Sequence, residues 1–166
     1  MLDILKYPQQ ILRERSKKIN DFHSSERQVF FKELKETMVS ADGLGLAANQ
    51  VGEAIRVMAV NHKDGVMIIA NPFIYWKSWQ KNQGEEGCLS FPEIFGFVNR
   101  SNTVRLFYRD EHGTLRHLKA NGLLARVVQH EADHLKGVLF IDKINRYTRG
   151  EKKVPELKNL AKANEL

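Results

Sequence analysis

Gly122-Leu-Leu-Ala-Arg-Val-Val-Gln-His-Glu-Ala-Asp-His-Leu-Lys-Gly137 reads as a helix opened at Asn121-Gly122, running to Lys136 and closed by Gly137, where helices favour glycine. Leu123 and Val127 lie on one face of it, and steps of three and four lead on to His130 and His134. Both imidazoles therefore point the way the apolar face points, towards whatever the helix packs against. Upstream, that partner is strand. The runs 55–60, 66–70, 73–79, 96–100, 103–108 and 114–119 are rich in β-branched and aromatic residues, and Asp110-Glu111-His112-Gly113 forms a hairpin turn between the last two. No helix-length segment separates these runs, so parallel winding is disfavoured. Further back, Ser25 with Gln28 makes a capping box for a helix from Glu26 to about Ser40, with Val29, Phe30, Leu34 and Met38 at helical spacing. Pro155, Leu157, Leu160 and Ala161 mark a short C-terminal helix. The expected fold is α+β, with antiparallel β-sheets packed around the central histidine-bearing helix.

A chain of 166 residues, 42% hydrophobic and 28% charged, fits one globular domain over 1–166. No apolar run approaches the eighteen or so residues that span a bilayer, and the start, Met-Leu-Asp-Ile-Leu-Lys-Tyr-Pro, has neither signal nor transit character. The expected location is cytoplasmic, away from membrane. Cys88 is the one cysteine, which excludes an intrachain disulfide and leaves a thiol for other chemistry. The net charge of +6 is unevenly placed: residues 143–166 hold seven Lys/Arg against three Glu. The stretch 147–166 is thus a basic tail. A solvated helix face is its ordinary reading; the sharper one is a contact with ribosomal RNA. Trp76 and Trp79 read as one core and one edge contact in preference to a platform for bases.

Within the helix, His130-Glu131-Ala132-Asp133-His134 is an H-E-x-x-H motif, whose two histidines share a face and can converge on one metal ion. Two core histidines bonded to carbonyls are the plainer alternative. A metal wants a third protein ligand. The metzincin position for it is occupied by Phe140, which cannot ligate, and Glu151 or Glu156 would have to serve from a Lys-rich segment. Cys88, in Glu86-Gly87-Cys88-Leu89-Ser90, is either that ligand or an inert buried thiol.

Three segments, Gly43-Leu-Gly-Leu-Ala-Ala-Asn-Gln50, Glu86-Gly-Cys-Leu-Ser90 and Gln129-His-Glu-Ala-Asp-His-Leu-Lys-Gly137, resemble in order and spacing the signature motifs of the peptide deformylases. The resemblance covers about residues 2–145, with Asn49 where Thr is frequent and Glu93 where Gly is common. It implies hydrolytic removal of the formyl group from the N-terminal methionine of newly made proteins, releasing formate. It implies that Cys88, His130 and His134 hold the metal, Fe²⁺ in the family pattern, with Zn²⁺, Ni²⁺ or Co²⁺ as substitutes. It makes Glu131 the general base, and gives the oxyanion to the Gln50 side chain and the Leu89 N–H. Leu44, Gly45, Glu86, Leu123 and Val127 become the substrate-binding set, with the backbone of 44–45 and 97–100 pairing with a formyl-Met peptide like an added strand. A monomer is expected. A zinc endopeptidase on the same helix, or a basic binding module with a structural metal, are the competing readings.

Overall fold

The computed structural model describes residues 1–163. In chain order it forms α1 (Ser25–Ser40), β1 (Gly45–Ala47), β2 (Val57–His62), β3 (Gly65–Lys77), β4 (Lys81–Cys88), β5 (Phe91–Ser101), β6 (Thr103–Arg109), β7 (Leu115–Asn121), α2 (Gly122–His134), β8 (Ile144–Arg149) and α3 (Val154–Ala163). The strands make a five-stranded sheet in the order β1-β2-β3-β6-β7 and a three-stranded sheet in the order β4-β5-β8, each paired antiparallel throughout. The fold is α+β, as expected.

The packing follows from which face of each element is apolar. Ala125, Val128 and Leu135 of the α2 segment pack on Met58, Val60, Ile69, Val104, Leu106 and Ala120, the inner face of the larger sheet. On the outer face, Phe31, Leu34 and Met38 of α1 cover Val57, Ala59, Ile68 and Ala70. Alternate residues of β2 and β3 thus face opposite ways into two cores. A third core joins Phe91 and Ile94 of β5 to Tyr7, Leu12, Phe140 and the α3 residue Val154, with Leu157 and Ala161 half-buried against it. The expected C-terminal helix therefore docks through its apolar side and keeps Lys158 and Lys162 exposed. The last three residues of the basic tail, 164–166, lie outside the described residues.

Several local expectations are corrected. The cap of α1 is Ser24, whose Oγ accepts from the Arg27 N–H, and Gln28 instead donates to the carbonyls of Phe22 and Glu111. The runs 66–70 and 73–79 are one strand, β3, which passes through Asn71 at φ 50° with a register shift against β6. Trp79 is 99% exposed and Trp76 half-exposed, so neither is core. Helix α2 ends at His134, short of the expected Lys136, while Gly137 turns the chain just beyond it at φ +72° and lies against the Arg13 carbonyl.

Candidate metal centre and catalytic cleft

Helix α2 and the β4–β5 hairpin meet where the two sheets diverge, and there three segments distant along the chain converge. Cys88 Sγ, His130 and His134 each offer a ligand atom, all within 4.8 Å of one another. The Cys88 sulfur lies 3.2 Å from His134 Nε2. That separation is close to the roughly 3.5 Å edge of a tetrahedron with ordinary metal–sulfur and metal–nitrogen bonds. His130 Nδ1 lies 2.9 Å from Glu86 Oε2. Because a carboxylate can only accept, Nδ1 carries the proton and Nε2 keeps its lone pair for an ion. Around the protein atoms alone, burial opposes charge on His130, but Cys88 and Glu86 override it and push its pKa up to about 10. Burial and that neighbouring charge drive His134 well down. One thiol and two imidazoles converging in this way, with the buried Nδ1 of His134 unpartnered among the described residues, suit a divalent late first-row ion.

Glu86 lines the cleft with the rest of the expected substrate-binding set, and its carboxylate is held by neighbouring side chains. Its Oε1 accepts from Arg100 Nε at 2.9 Å and from an Arg126 nitrogen at 2.7 Å, and its Oε2 accepts from Arg100 at 2.9 Å as well as from His130. Burial alone would raise its pKa; the hydrogen bonds and charges of His130 and Arg100 win and hold it ionised, well below the ordinary carboxylate range. Arg100 also donates to Asp133, which accepts from Lys143 at 2.6 Å. Sequence reading missed Arg100, Arg126 and Asp133. It also missed a role for Asn49, whose amide donates to the His134 carbonyl at 2.7 Å. Asp133 alone carried a local signal, sitting inside the helix motif.

Glu131 is buried, with Oε2 unpartnered among the described residues. Desolvation is the main reason its pKa is raised, to about 7. It lies against Gly45, so closely that a Cβ there would stand 2.6 Å from its Oε1. Gln50 is held by the Ala47 N–H, which donates to its Oε1 at 2.9 Å. Its Nε2 is thereby turned to Ser90 Oγ at 3.1 Å and Cys88 Sγ at 3.5 Å. Leu89 occupies the tight turn after Cys88, and Lys6 Nζ donates to its carbonyl at 2.6 Å.

A cleft of about 550 Å³ opens over these groups. Leu44, Gly45, Leu123 and Val127 line it with Gln50, Cys88, His130 and Glu131. Leu123 is 62% exposed, which excludes an ordinary core role for it. The sequence-derived set is thus gathered in one place, with one correction. Residues 97–100 belong to β5, the middle strand of the smaller sheet, where Phe97 and Val98 are paired on both sides, by β4 and β8. They cannot receive an added strand. The free edges beside the cleft are β1 and β4.

The family model "Polypeptide deformylase" matches residues 1–150. A peptide deformylase of Prochlorococcus marinus (strain AS9601) is 43% identical over 148 residues, covering 86% of this chain and 73% of its own. That of Wolinella succinogenes is 40% identical over 172 aligned positions, covering 99% of each chain. Among solved structures, the peptide deformylase of Thermotoga maritima superposes with TM-score 0.84 at 38% identity, over 87% of this chain and 98% of that one. The enzyme of Synechococcus elongatus in complex with actinonin gives 0.84 at 34% identity, over 96% and 85%.

Proposed function

The chain belongs to the polypeptide deformylase family and is an enzyme that removes the formyl group from newly made proteins, and from this premise we infer how its own residues divide the work. The observation that carries the reading is the meeting of Cys88, His130 and His134 beside a buried, half-unpartnered Glu131 at the base of an apolar cleft.

Leu44, Leu123 and Val127 receive the methionine side chain, while the edges of β1 and β4 hold the peptide backbone as an added strand does. Cys88, His130 and His134 would hold a divalent ion, which would supply Lewis acidity and lower the pKa of a water beside it from 15.7 towards roughly 7. Glu86 fixes the ring of His130, and Arg100 and Arg126 keep Glu86 ionised for that purpose. As water adds to the formyl carbon, Glu131 takes its proton. The Gln50 amide and the Leu89 N–H donate to the formyl oxygen as it gains charge, and each such donor is worth about 3 to 4 kcal/mol of barrier. The carbon–nitrogen bond then breaks, Glu131 returns the proton to the leaving nitrogen, and formate departs.

We assign iron(II) as the native ion and the cytoplasm as the working compartment, on the family resemblance and the single thiol. Among the described residues, no helix is long and apolar enough to cross a membrane. The exposed Lys158 and Lys162 on α3 support a weak tail contact with ribosomal RNA. The decisive test is anaerobic purification with metal analysis and a formate assay on a formyl-Met peptide in the same sample. Formate appearing with the peptide bond intact, in proportion to bound iron, is the expected result; cleavage within the peptide would install the endopeptidase reading instead.

A further inference from the structure

Helix α1 covers only the β1–β2 side of the outer face of the larger sheet, ending at Ala70. Beyond Ala70 the same face runs on across β3, β6 and β7 with its side chains exposed. Register sets Phe73 opposite Phe107 and Phe107 opposite His117; it sets Trp76 opposite Arg105 and Arg105 opposite Lys119. The alternating neighbours Val104, Leu106 and Ala120 are fully buried, so these groups point outward.

Two properties distinguish this surface. Four rings stand exposed on it, Phe73 at 64%, Tyr75 at 42%, Trp76 at 43% and Phe107 at 42%. They are held in place: Tyr75 stacks on Phe107 with centroids 5.1 Å apart, its hydroxyl lies 2.9 Å from His117 Nε2, and Arg105 covers Trp76 at 5.2 Å. The second property is charge. Strands β3, β6 and β7 contain no Asp or Glu, while Arg105 and Lys119 stand among the rings without a carboxylate partner among the described residues. None of these residues lines the catalytic cleft.

A purely apolar partner would leave the two cations unmatched, and an acidic protein would leave the rings idle. Flat rings with cations between them match the alternation of bases and phosphates in an unpaired nucleic-acid strand. We propose that the half-sheet bearing Phe73, Tyr75, Trp76, Arg105, Phe107 and Lys119 binds single-stranded RNA. The choice of RNA over DNA rests on the deformylase reading, since its substrates are chains still being made on an RNA-built machine.

The test titrates the metal-loaded enzyme into a labelled RNA of about twelve nucleotides at about 50 and about 200 mM salt, reading anisotropy. Binding should weaken with salt. Phe107→Leu should lower affinity roughly tenfold. Arg105→Gln with Lys119→Gln should flatten the slope of log affinity against log salt by about 1.4. No binding at the lower salt, unchanged affinity in both variants, equal affinity for DNA of the same sequence, or binding lost only on neutralising Lys158 and Lys162 would each overturn the proposal. So would sedimentation showing a dimer that Phe107→Leu dissolves, which would make the face a contact between copies. Formate release on the same samples reports on the deformylase reading separately: its failure with RNA binding intact strikes that reading and leaves the surface standing.

Discussion

Gly45→Ala tests whether the position of Glu131 matters as argued. An added Cβ would stand 2.6 Å from Glu131 Oε1, 2.7 Å from Cγ and 2.8 Å from Cδ, where ordinary contact begins at 3.4 Å. The carboxylate must therefore retreat by about 0.8 Å, the difference between 3.4 and 2.6 Å. Gly45 lies in β1 and has no positive φ, so alanine fits the backbone and the whole effect falls on Glu131. A displacement on the order of 1 Å in a proton-transferring group costs about 100-fold, so kcat for formate release should fall by that much. Overpacking should cost about 1 to 3 kcal/mol of stability, measurable as a lower Tm with the fold retained. Glu131→Ala alone should lose about 10² to 10⁴ in kcat. In that background the clash has no partner, and Gly45→Ala should add almost nothing. A kcat within about threefold of the parent, or the same loss in both backgrounds, would refute the positioning argument, because Gly45 would then act only through peptide binding and move KM.

Three further outcomes follow from the geometry. Glu86→Gln removes the charge that faces Arg100 and Arg126, and should lower metal affinity about 10- to 100-fold by chelator competition, with about 3 to 5 kcal/mol lost from the fold in denaturant titration. Gly137→Ala places a Cβ 2.1 Å from the Arg13 carbonyl at a φ of +72°, and should cost at least about 2 kcal/mol of stability; a Tm shift under a degree would contradict it. For Asp142, burial would raise the pKa, but the hydrogen bonds from Arg13 and the Leu139 N–H hold it below the usual value. Its contribution is thus present above the unfolded carboxylate pKa and lost as pH falls through the folded one. Asp142→Asn should flatten the acid limb of the stability profile by less than about 1 kcal/mol, given the partial exposure of both partners.

How much of this was legible depended on whether the cause was local. Helix α2 announced itself because its face, its glycine terminus and its paired histidines all lie within one short segment. Strand β4, Lys-Asn-Gln-Gly-Glu-Glu-Gly-Cys, escaped because it holds no β-branched residue. Its place is set from outside: Arg126 lies across Gly84, where a Cβ would meet the guanidinium at 2.7 Å, and Phe95 lies across Gly87 at 2.6 Å. These two glycines are the clearance for side chains from α2 and β5. Strand β8, Ile-Asn-Arg-Tyr-Thr-Arg, is polar and mostly exposed, and forms only because β5 offers it an edge. In β3, Asn71-Pro72 looked like a break, yet the Asn71 side chain bonds the backbone of Ile19 in both directions and the strand continues past it.

The same distinction separates the parts of the site. His130, His134 and Glu131 follow from helical spacing, whereas Cys88 and Gln50 needed the family resemblance, being 42 and 80 residues from His130 along the chain. The carboxylate–arginine network needed coordinates. Nothing in the sequence pairs Arg100 with Glu86, and the more exposed neighbours of each would have served as well on paper. The physical requirement that selects them is burial. A charged Glu86 beside His130 would be too costly in that interior without compensation, and two arginines approaching from β5 and α2 supply it. The ring of His130 is then fixed by a group whose own charge is fixed by the scaffold. It follows that the cleft can stay open and apolar at Leu123 without loosening the centre beneath it, because the order of the centre comes from behind, from the sheets, and not from the substrate side.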